Sequence, residues 1–182
     1  MSDLRILAWN LNHRATMKTI PPGTIDAIDQ LKADVLVLSE YADGNVRDQF
    51  KAKLREVGYR DVFISEKIGR QNQVLIACKT AAVLGGIKAP VFDDSSATNF
   101  LHVHIPACEL SIVGLRCPAY KAQRDLTAYW RELRKVIDSC VSEQIVFIGD
   151  FNGDPDGRRS PAGVHLSALR DEGWNVPSPG GD

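Results

Sequence analysis

Residues 144–154 have the sequence QIVFIGDFNGD, an apolar run that stops at polar side chains. A short apolar run bounded by turn residues is typical of a buried strand, so residues 145–149 predict one. Asp150 and Asn152 follow this strand directly. Because ligands of open α/β sheets bind beyond the carboxyl ends of the strands, we expect Asp150 and Asn152 to line an active site.

Two other apolar segments end in the same way. Residues 4–10 predict a first strand that ends in Asn10, and residues 34–40 predict a second strand that ends in Glu40. A lone polar residue at a strand end is most often a solvated surface residue, but three such endings in one chain are harder to attribute to coincidence. They point to a shared polar site.

These strand-end residues have the chemistry of a metal-assisted site. Hard cations such as Mg²⁺ take oxygen ligands, so Glu40 is the natural direct ligand, and Asn10 either adds a neutral oxygen or orients Glu40. Asp150 can orient or deprotonate an attacking water. Asn152 can donate its amide to a phosphoryl oxygen as charge develops there.

The remaining pattern predicts an α/β fold. Helical periodicity follows each of the first two strands, and residues 126–140 have the clearest amphipathic helical pattern. Polar residues 93–96 predict a surface loop. Short strands are predicted at residues 59–65, 74–79, 82–87, 100–105 and 110–116. This order predicts a mixed sheet sandwiched by helices, and the absence of a repeat or linker in the sequence predicts a single domain over residues 1–182.

Composition argues against some classes of function, although it leaves a local basic groove possible. The 182 residues are 44% hydrophobic and 25% charged, with a formal net charge of -1, so no global basic field indicates nucleic-acid binding. The N-terminal sequence does not resemble a signal peptide, and no run approaches the roughly 18 apolar residues of a membrane span. The scattered cysteines predict reduced thiols in a cytoplasmic protein, with a Cys108–Cys117 bridge as the alternative.

Three segments resemble successive motifs of the endonuclease/exonuclease/phosphatase superfamily: RILAWN at 5–10, DVLVLSE at 34–40 and VFIGDFN at 146–152. This superfamily includes deoxyribonucleases, apurinic endonucleases, inositol-polyphosphate phosphatases and sphingomyelinases. The Gly-Asp-Phe-Asn match is the most specific, and order and spacing agree over nearly the whole chain. The resemblance implies a four-layer αββα sandwich and Mg²⁺- or Mn²⁺-dependent cleavage of a phosphoester by in-line attack of water.

The resemblance also implies roles for individual residues. Asn10 and Glu40 correspond to metal-site residues, Asp150 to the carboxylate that orients water, and Asn152 to a phosphate contact. Asn72, in a polar segment before a predicted strand, is a candidate substrate-binding residue, with a plain hairpin turn as the alternative.

Two features depart from the superfamily pattern. Arg116 stands where His or Tyr is usual; it can clamp a phosphate through two donors but cannot act as a general acid, and a surface arginine is the alternative. The superfamily's final Ser-Asp-His motif and its accompanying strands have no counterpart. We therefore expect the C-terminal strands of the second half-sheet to be missing, and little or no hydrolysis from these 182 residues.

Weaker signals have ordinary explanations beside functional ones. Residues 152–157 imitate the start of a calcium loop, but Gly163 stands where a bidentate Glu is required, so we expect a loop shaped by its own Asp side chains. His102 and His104 share a strand face, as a metal pair or as an ordinary surface. His13 can border the site. A cationic rim, or simply a solvated surface, is predicted for Lys67, Arg70, Lys121 and Arg124.

The sequence therefore favours a metal-dependent phosphoesterase. One alternative is a catalytically inactive relative that binds a phosphorylated ligand or a protein partner. Another is an unrelated α/β domain, in which Glu40 and Asp150 would lie more than about 10 Å apart, too far to share a metal site. DNA, RNA, a phospholipid headgroup, an inositol phosphate and a nucleotide all stay open as substrates, although the near-neutral charge argues against long polyanions.

Overall fold

Two four-stranded sheets form the centre of the protein. The structure is a computed structural model that describes residues 4–12, 20–21, 23–119, 121–141, 143–157 and 159–177. The first sheet has the order β1-β2-β4-β3 and the second the order β5-β6-β7-β8. The strands are β1 (Ile6–Asn10), β2 (Val35–Tyr41), β3 (Asp61–Ile64), β4 (Gln73–Cys78), β5 (Val83–Leu84), β6 (Phe100–Ile105), β7 (Leu110–Arg116) and β8 (Ile145–Asp150).

Helices cover the outer faces of both sheets. The α-helices are α1 (Gly23–Leu31), α2 (Asp48–Glu56), α3 (Asp94–Thr98), α4 (Gln123–Asp138) and α5 (Pro161–Asp171), with single 3₁₀ turns at Asn45–Arg47 and Pro106–Cys108. One apolar cluster joins α1 and α2 to the first sheet, and another joins α4 and α5 to the second. A third cluster lies between the two sheets. The layers are therefore α, β, β and α, as the superfamily resemblance implies, rather than one mixed sheet.

The inner faces of the sheets approach closely at Gly114 of β7. A Cβ atom at this position would lie 2.9 Å from methyl carbons of Val37 and Val74 in the first sheet. Real Cβ atoms do not approach carbon this closely. A glycine at position 114 therefore permits the short distance between the two sheets. This contact brings the end of β7 over the end of β2, where Arg116 and Glu40 lie.

Parallel pairing places the strand ends together. β1 runs parallel to β2, and β7 runs parallel to β8. Asn10 therefore lies beside Ser39, and Asp150 beside Arg116. Among the described residues, β1 pairs only with β2 and β8 only with β7, so each has one edge without a strand partner.

The predicted polar loop at residues 93–96 is wrong. Asp93 occupies the N-cap position of α3, and the Ser96 hydroxyl accepts a hydrogen bond of 3.4 Å from the Asp93 backbone N–H. Polar residues at a helix start satisfy backbone donors that the helix cannot satisfy itself. A short helix built this way has no apolar periodicity for a sequence pattern to detect.

The cysteines are all free thiols, so the alternative Cys108–Cys117 bridge is not formed. Burial raises the pKa of the Cys78 thiol to about 12. No helix in the described part of the chain is both long enough and apolar enough to cross a membrane.

Gly149 determines how β8 reaches the site. Its φ is +140°, and a Cβ there would lie 2.0 Å from the Leu115 carbonyl oxygen of β7. Gly149→Ala should therefore lower the free energy of unfolding by more than about 2 kcal/mol, through backbone strain and this clash. Urea denaturation measures the change.

Gly86→Ala is the matched control for Gly149→Ala. Gly86 lies in open space, without a positive φ, so a Cβ meets nothing within 4 Å. We expect a change within about 0.5 kcal/mol there, as for most surface substitutions. If both substitutions changed the free energy of unfolding by the same amount, the close packing of β8 against β7 would be contradicted.

Candidate active site

Glu40 is aimed by an irregularity in β2. The pairing of β2 with β4 shifts register between Leu38 and Tyr41, and Glu40 has a φ of +55°. Bulges of this kind re-aim side chains and are common beside active sites. Glu40 is only 5% exposed, so its carboxylate is held inside the protein at the end of the strand.

Arg116 of the second sheet pairs with Glu40 of the first. Its Nε and Nη2 atoms each lie 2.9 Å from Glu40 Oε1. Glu40 Oε2 is buried and has no hydrogen-bond partner. The ion pair thus joins the two sheets, and it leaves one carboxylate oxygen unsatisfied.

Asp150 is held by Asn10 across the two sheets. Asn10 Nδ2 donates a 2.8 Å hydrogen bond to Asp150 Oδ2, while Asn10 Oδ1 accepts one of 2.8 Å from the Asn12 N–H. Asn10 therefore orients Asp150 rather than Glu40. The Asn10 side-chain oxygen already accepts a hydrogen bond from the backbone.

Asn152 supports the loop that follows β8. Its Nδ2 donates to the Cys117 carbonyl at 2.7 Å, and its backbone N–H donates to Asp150 Oδ1 at 3.1 Å. Its φ is +47°, a left-handed conformation that asparagine tolerates better than most residues. No second hydrogen bond from the Asn152 amide is found among the described residues.

Arg116 lies between the two carboxylates. Its Nε is 2.9 Å from a Glu40 oxygen and 3.8 Å from Asp150 Oδ2. Both carboxylates thus lie beside one nitrogen, well inside the separation of about 10 Å beyond which they could not share a metal site. This geometry argues against coincidental strand endings in an unrelated fold.

A polar cavity of about 610 Å³ adjoins this cluster. Arg116, Lys121 and the predicted substrate residue Asn72 all line it. Asn99 also lines it, and its backbone carbonyl accepts a 3.0 Å hydrogen bond from the Arg116 N–H. Sequence reasoning missed Asn99, since it lies between a short polar helix and a strand and belongs to no recognisable pattern.

The buried thiol beside the site is not a nucleophile. Burial raises the pKa of Cys117 well above its usual value, and it does the same for the neighbouring Tyr129 hydroxyl. Both groups therefore stay protonated and uncharged near neutral pH. This leaves the two carboxylates and Arg116 as the charged groups of the cluster.

The other predicted polar groups do not join the site as a set. Lys67 donates to the Asp43 carbonyl at 2.9 Å, and Arg124 is exposed beside Asp125. Lys121 alone among the predicted cationic rim lines the cavity, where it lies 3.1 Å from Asp93. His13 lies outside the described residues.

The paired histidines and the acidic loop have local structural roles. The backbone N–H of Ile87 donates to His102 Nδ1 at 3.0 Å, which ties the segment after β5 to β6. In the acidic loop at residues 152–157, the Asp156 N–H donates to Asp154 Oδ1 at 2.9 Å. This is the local hydrogen bond by which Asp side chains stabilise a turn.

The donor set fits a hydrated hard cation. Mg²⁺ commonly binds through one or two carboxylates and keeps several waters, so a carboxylate oxygen such as Glu40 Oε2, which is buried and has no hydrogen-bond partner among the described residues, is of the right chemical type for a ligand. No group of three or more His, Cys, Asp or Glu that could hold a metal occurs among the described residues.

Solved structures share this fold. The chain is 18% identical to an AP endonuclease from Archaeoglobus fulgidus, with a TM-score of 0.71 over 94% of this chain and 71% of the other. An endonuclease/exonuclease/phosphatase protein from Beutenbergia cavernae gives 18% identity and a TM-score of 0.67, over 93% and 53%. The 3′ phosphatase NExo from Neisseria, bound to a product DNA hairpin, gives 18% and 0.64, over 84% and 59%.

These comparisons establish the fold. The chain has the endonuclease/exonuclease/phosphatase fold, and it spans between about half and three quarters of the length of these three structures. No protein-family model matches the sequence, and neither does any curated protein.

Asp93 should stabilise the cavity rim in a pH-dependent way. Burial favours a higher pKa, but hydrogen bonds from Ser95 and Lys121 outweigh it and lower the pKa of Asp93. Asp93→Ala should cost about 1 kcal/mol near neutral pH, the usual worth of an N-cap. This contribution is present above the unfolded-state pKa of about 3.9 and is lost as pH falls through the lower folded-state value.

Urea denaturation from pH 7 to pH 2 tests this. The stability difference between wild type and Asp93→Ala should shrink toward the acid end of the series. Asp94→Ala is the control, because it removes the same charge from the same helix but not from the N-cap position. A difference that stays constant down to pH 2 would contradict the role of the ionised carboxylate.

Proposed function

We propose that the protein is a phosphoester hydrolase that uses a divalent cation, Mg²⁺ or Mn²⁺, at Glu40. The observation that carries this proposal is the convergence of Glu40 and Asp150, from different sheets, on Arg116 beside a polar cavity. The shared fold supports the same class, since the similar structures include an AP endonuclease and a 3′ phosphatase.

Asp150 is the group that orients the attacking water. Asn10 and the Asn152 backbone N–H hold its two oxygens in place, which fixes the carboxylate without neutralising it. A carboxylate held this way can accept a proton from water as the water attacks phosphorus. In-line attack then needs only that the phosphate be placed opposite Asp150.

The phosphate is held by donors on the cavity side. Arg116 presents a planar fork that matches two phosphoryl oxygens, and Asn72 lines the same cavity. Asn152 lines a separate pocket with Asp150, from which its amide can add a hydrogen bond to the phosphate. These donors stabilise the charge that develops on the phosphoryl oxygens in the transition state. A cation bound at Glu40 would supply Lewis-acid polarisation of the same group.

Proton transfer to the leaving group is the slow part of this mechanism. The described histidines make contacts elsewhere: His102 with the Ile87 N–H, His104 with Ser111, and His165 by stacking on Trp130. None of these contacts involves Glu40 or Asp150, and Arg116 cannot serve as a general acid. We therefore infer weak hydrolysis, fastest for esters with good leaving groups.

The charge of the cavity favours small phosphoesters. Its lining includes Asp93 and Asp94 as well as Arg116 and Lys121, so the charges balance. Proteins that track a long phosphate backbone present a basic stripe instead. A mononucleotide, an inositol phosphate or a short phosphodiester fits this lining better than a long nucleic acid.

A second candidate function is binding without hydrolysis. The Glu40–Arg116 ion pair and the contacts of the three described histidines favour it, because a guanidinium can hold a phosphorylated ligand but cannot protonate a leaving group. In that case the site would recognise a phosphate group on a small molecule or a protein.

Assays with bis-p-nitrophenyl phosphate and p-nitrophenyl phosphate test the proposal. Wild type with Mn²⁺ should release nitrophenol slowly, and EDTA should abolish the release. Asp150→Asn should lower the rate about 100-fold or more, because it removes the base, while its one side-chain oxygen can still accept the hydrogen bond from Asn10 but not also the one from the Asn152 N–H. Phosphate-induced thermal stabilisation of the Asp150→Asn variant should stay close to that of wild type.

The control is Asp156→Asn, in the acidic loop that shapes its own turn, which should leave the rate unchanged. No release by wild type, combined with clear stabilisation by phosphate, would favour the binding function. Hydrolysis that survives in both Asp150→Asn and Glu40→Gln would contradict the proposed site.

A further inference from the structure

Neither oxygen of Glu40 is open to a hydrated cation in this structure. Oε1 accepts a hydrogen bond of 2.9 Å from Arg116 Nε and also lies 2.9 Å from Nη2 in the ion pair, and Oε2 is buried away from solvent without a partner among the described residues. The two side chains are 7% and 17% exposed. A cation therefore reaches Glu40 only if the Arg116 guanidinium moves away.

We propose that Arg116 is a built-in competitor of the cation at Glu40, and that its guanidinium moves from Glu40 to the substrate phosphate when the cation binds. This inference rests on the proposed function and adds how metal and substrate binding are coupled. The Arg116 guanidinium and a cation at Glu40 exclude each other.

Charge and geometry support this exchange. A buried carboxylate needs a counter-charge, and Arg116 supplies it in this structure. Arg116 also lines the 610 Å³ cavity, so its guanidinium can turn from Glu40 toward a phosphate there without leaving the site. A cation at Glu40 then balances the carboxylate, and the phosphate balances the guanidinium.

The exchange predicts the effect of removing Arg116 on metal affinity. Isothermal titration with Mn²⁺ should show that Arg116→Gln binds at least about tenfold more tightly than wild type, within the usual range of coupling between two sites. The added substitution Glu40→Gln should remove this gain, because it removes the ligand for which the guanidinium and Mn²⁺ compete.

Lys121→Gln is the matched control. It removes one positive charge from the same cavity, but Lys121 pairs with Asp93 rather than with Glu40. We expect its Mn²⁺ affinity to stay within about twofold of wild type, since an exposed charge at a distance is screened by solvent and salt. Equal gains in Lys121→Gln and Arg116→Gln would show a general charge effect and overturn the inference.

A measurement on wild type covers the case in which Arg116→Gln fails to fold. Phenylglyoxal modifies accessible guanidinium groups, and mass spectrometry reports the rate at each arginine. Mn²⁺ should speed modification of Arg116 but not of Arg134, which has the same 17% side-chain exposure and pairs with Asp138 and Glu172. An unchanged rate of phenylglyoxal modification at Arg116 under saturating Mn²⁺ would overturn the inference.

The outcomes separate this inference from the proposed function. Equal Mn²⁺ affinity in wild type and folded Arg116→Gln overturns the competition alone and leaves a metal-dependent hydrolase possible. Absence of Mn²⁺ binding in every variant overturns both the competition and the metal dependence. Tighter binding in Arg116→Gln, together with no hydrolysis by wild type, supports the competition and contradicts the hydrolytic function.

Discussion

The ion pair between Glu40 and Arg116 is the constraint on which the site depends. Burying two charges is costly unless each satisfies the other with good geometry, so the two side chains must meet closely. That meeting requires β7 of the second sheet to lie over β2 of the first. Gly114 permits this, since any larger residue would press against Val37 and Val74.

The backbone around the site has left-handed conformations at several positions. Glu40, Gly149 and Asn152 all have positive φ values, and each belongs to the polar cluster or precedes it directly. Unusual backbone conformations of this kind persist only where the surrounding structure enforces them, and they collect at functional sites. Here the bulge aims Glu40, the glycine lets β8 lie close to β7, and Asn152 closes the turn against Cys117.

The sequence predicted the strands better than the contacts between them. β6 and β7 have the predicted bounds, because a continuous apolar run with clear turn residues leaves little ambiguity. Helix α3 was missed, because its residues are polar and its start is defined by hydrogen bonds rather than by periodicity. Residue pattern alone favoured one mixed sheet, and only the motif resemblance implied the two sheets that are observed.

The sequence predicted which strand-end residues would lie together, but not which of them would pair. Asn10, Glu40, Asp150 and Arg116 do meet, as strand ends in one α/β fold should. That Asn10 holds Asp150 rather than Glu40 could not be predicted, because it depends on which side chains face each other across two sheets. Arg116 and Glu40 are 76 positions apart, and no local pattern reports such a contact.

The central claim is that these strand ends form one cation and phosphate site. Paramagnetic broadening in ¹H–¹⁵N spectra titrated with Mn²⁺ tests it most directly, because each amide reports its own distance from the ion. We predict that the amides of Glu40, Arg116 and Asp150 broaden first. Broadening that begins at the acidic loop around Asp154 and Asp156, with the strand ends unaffected, would contradict the claim.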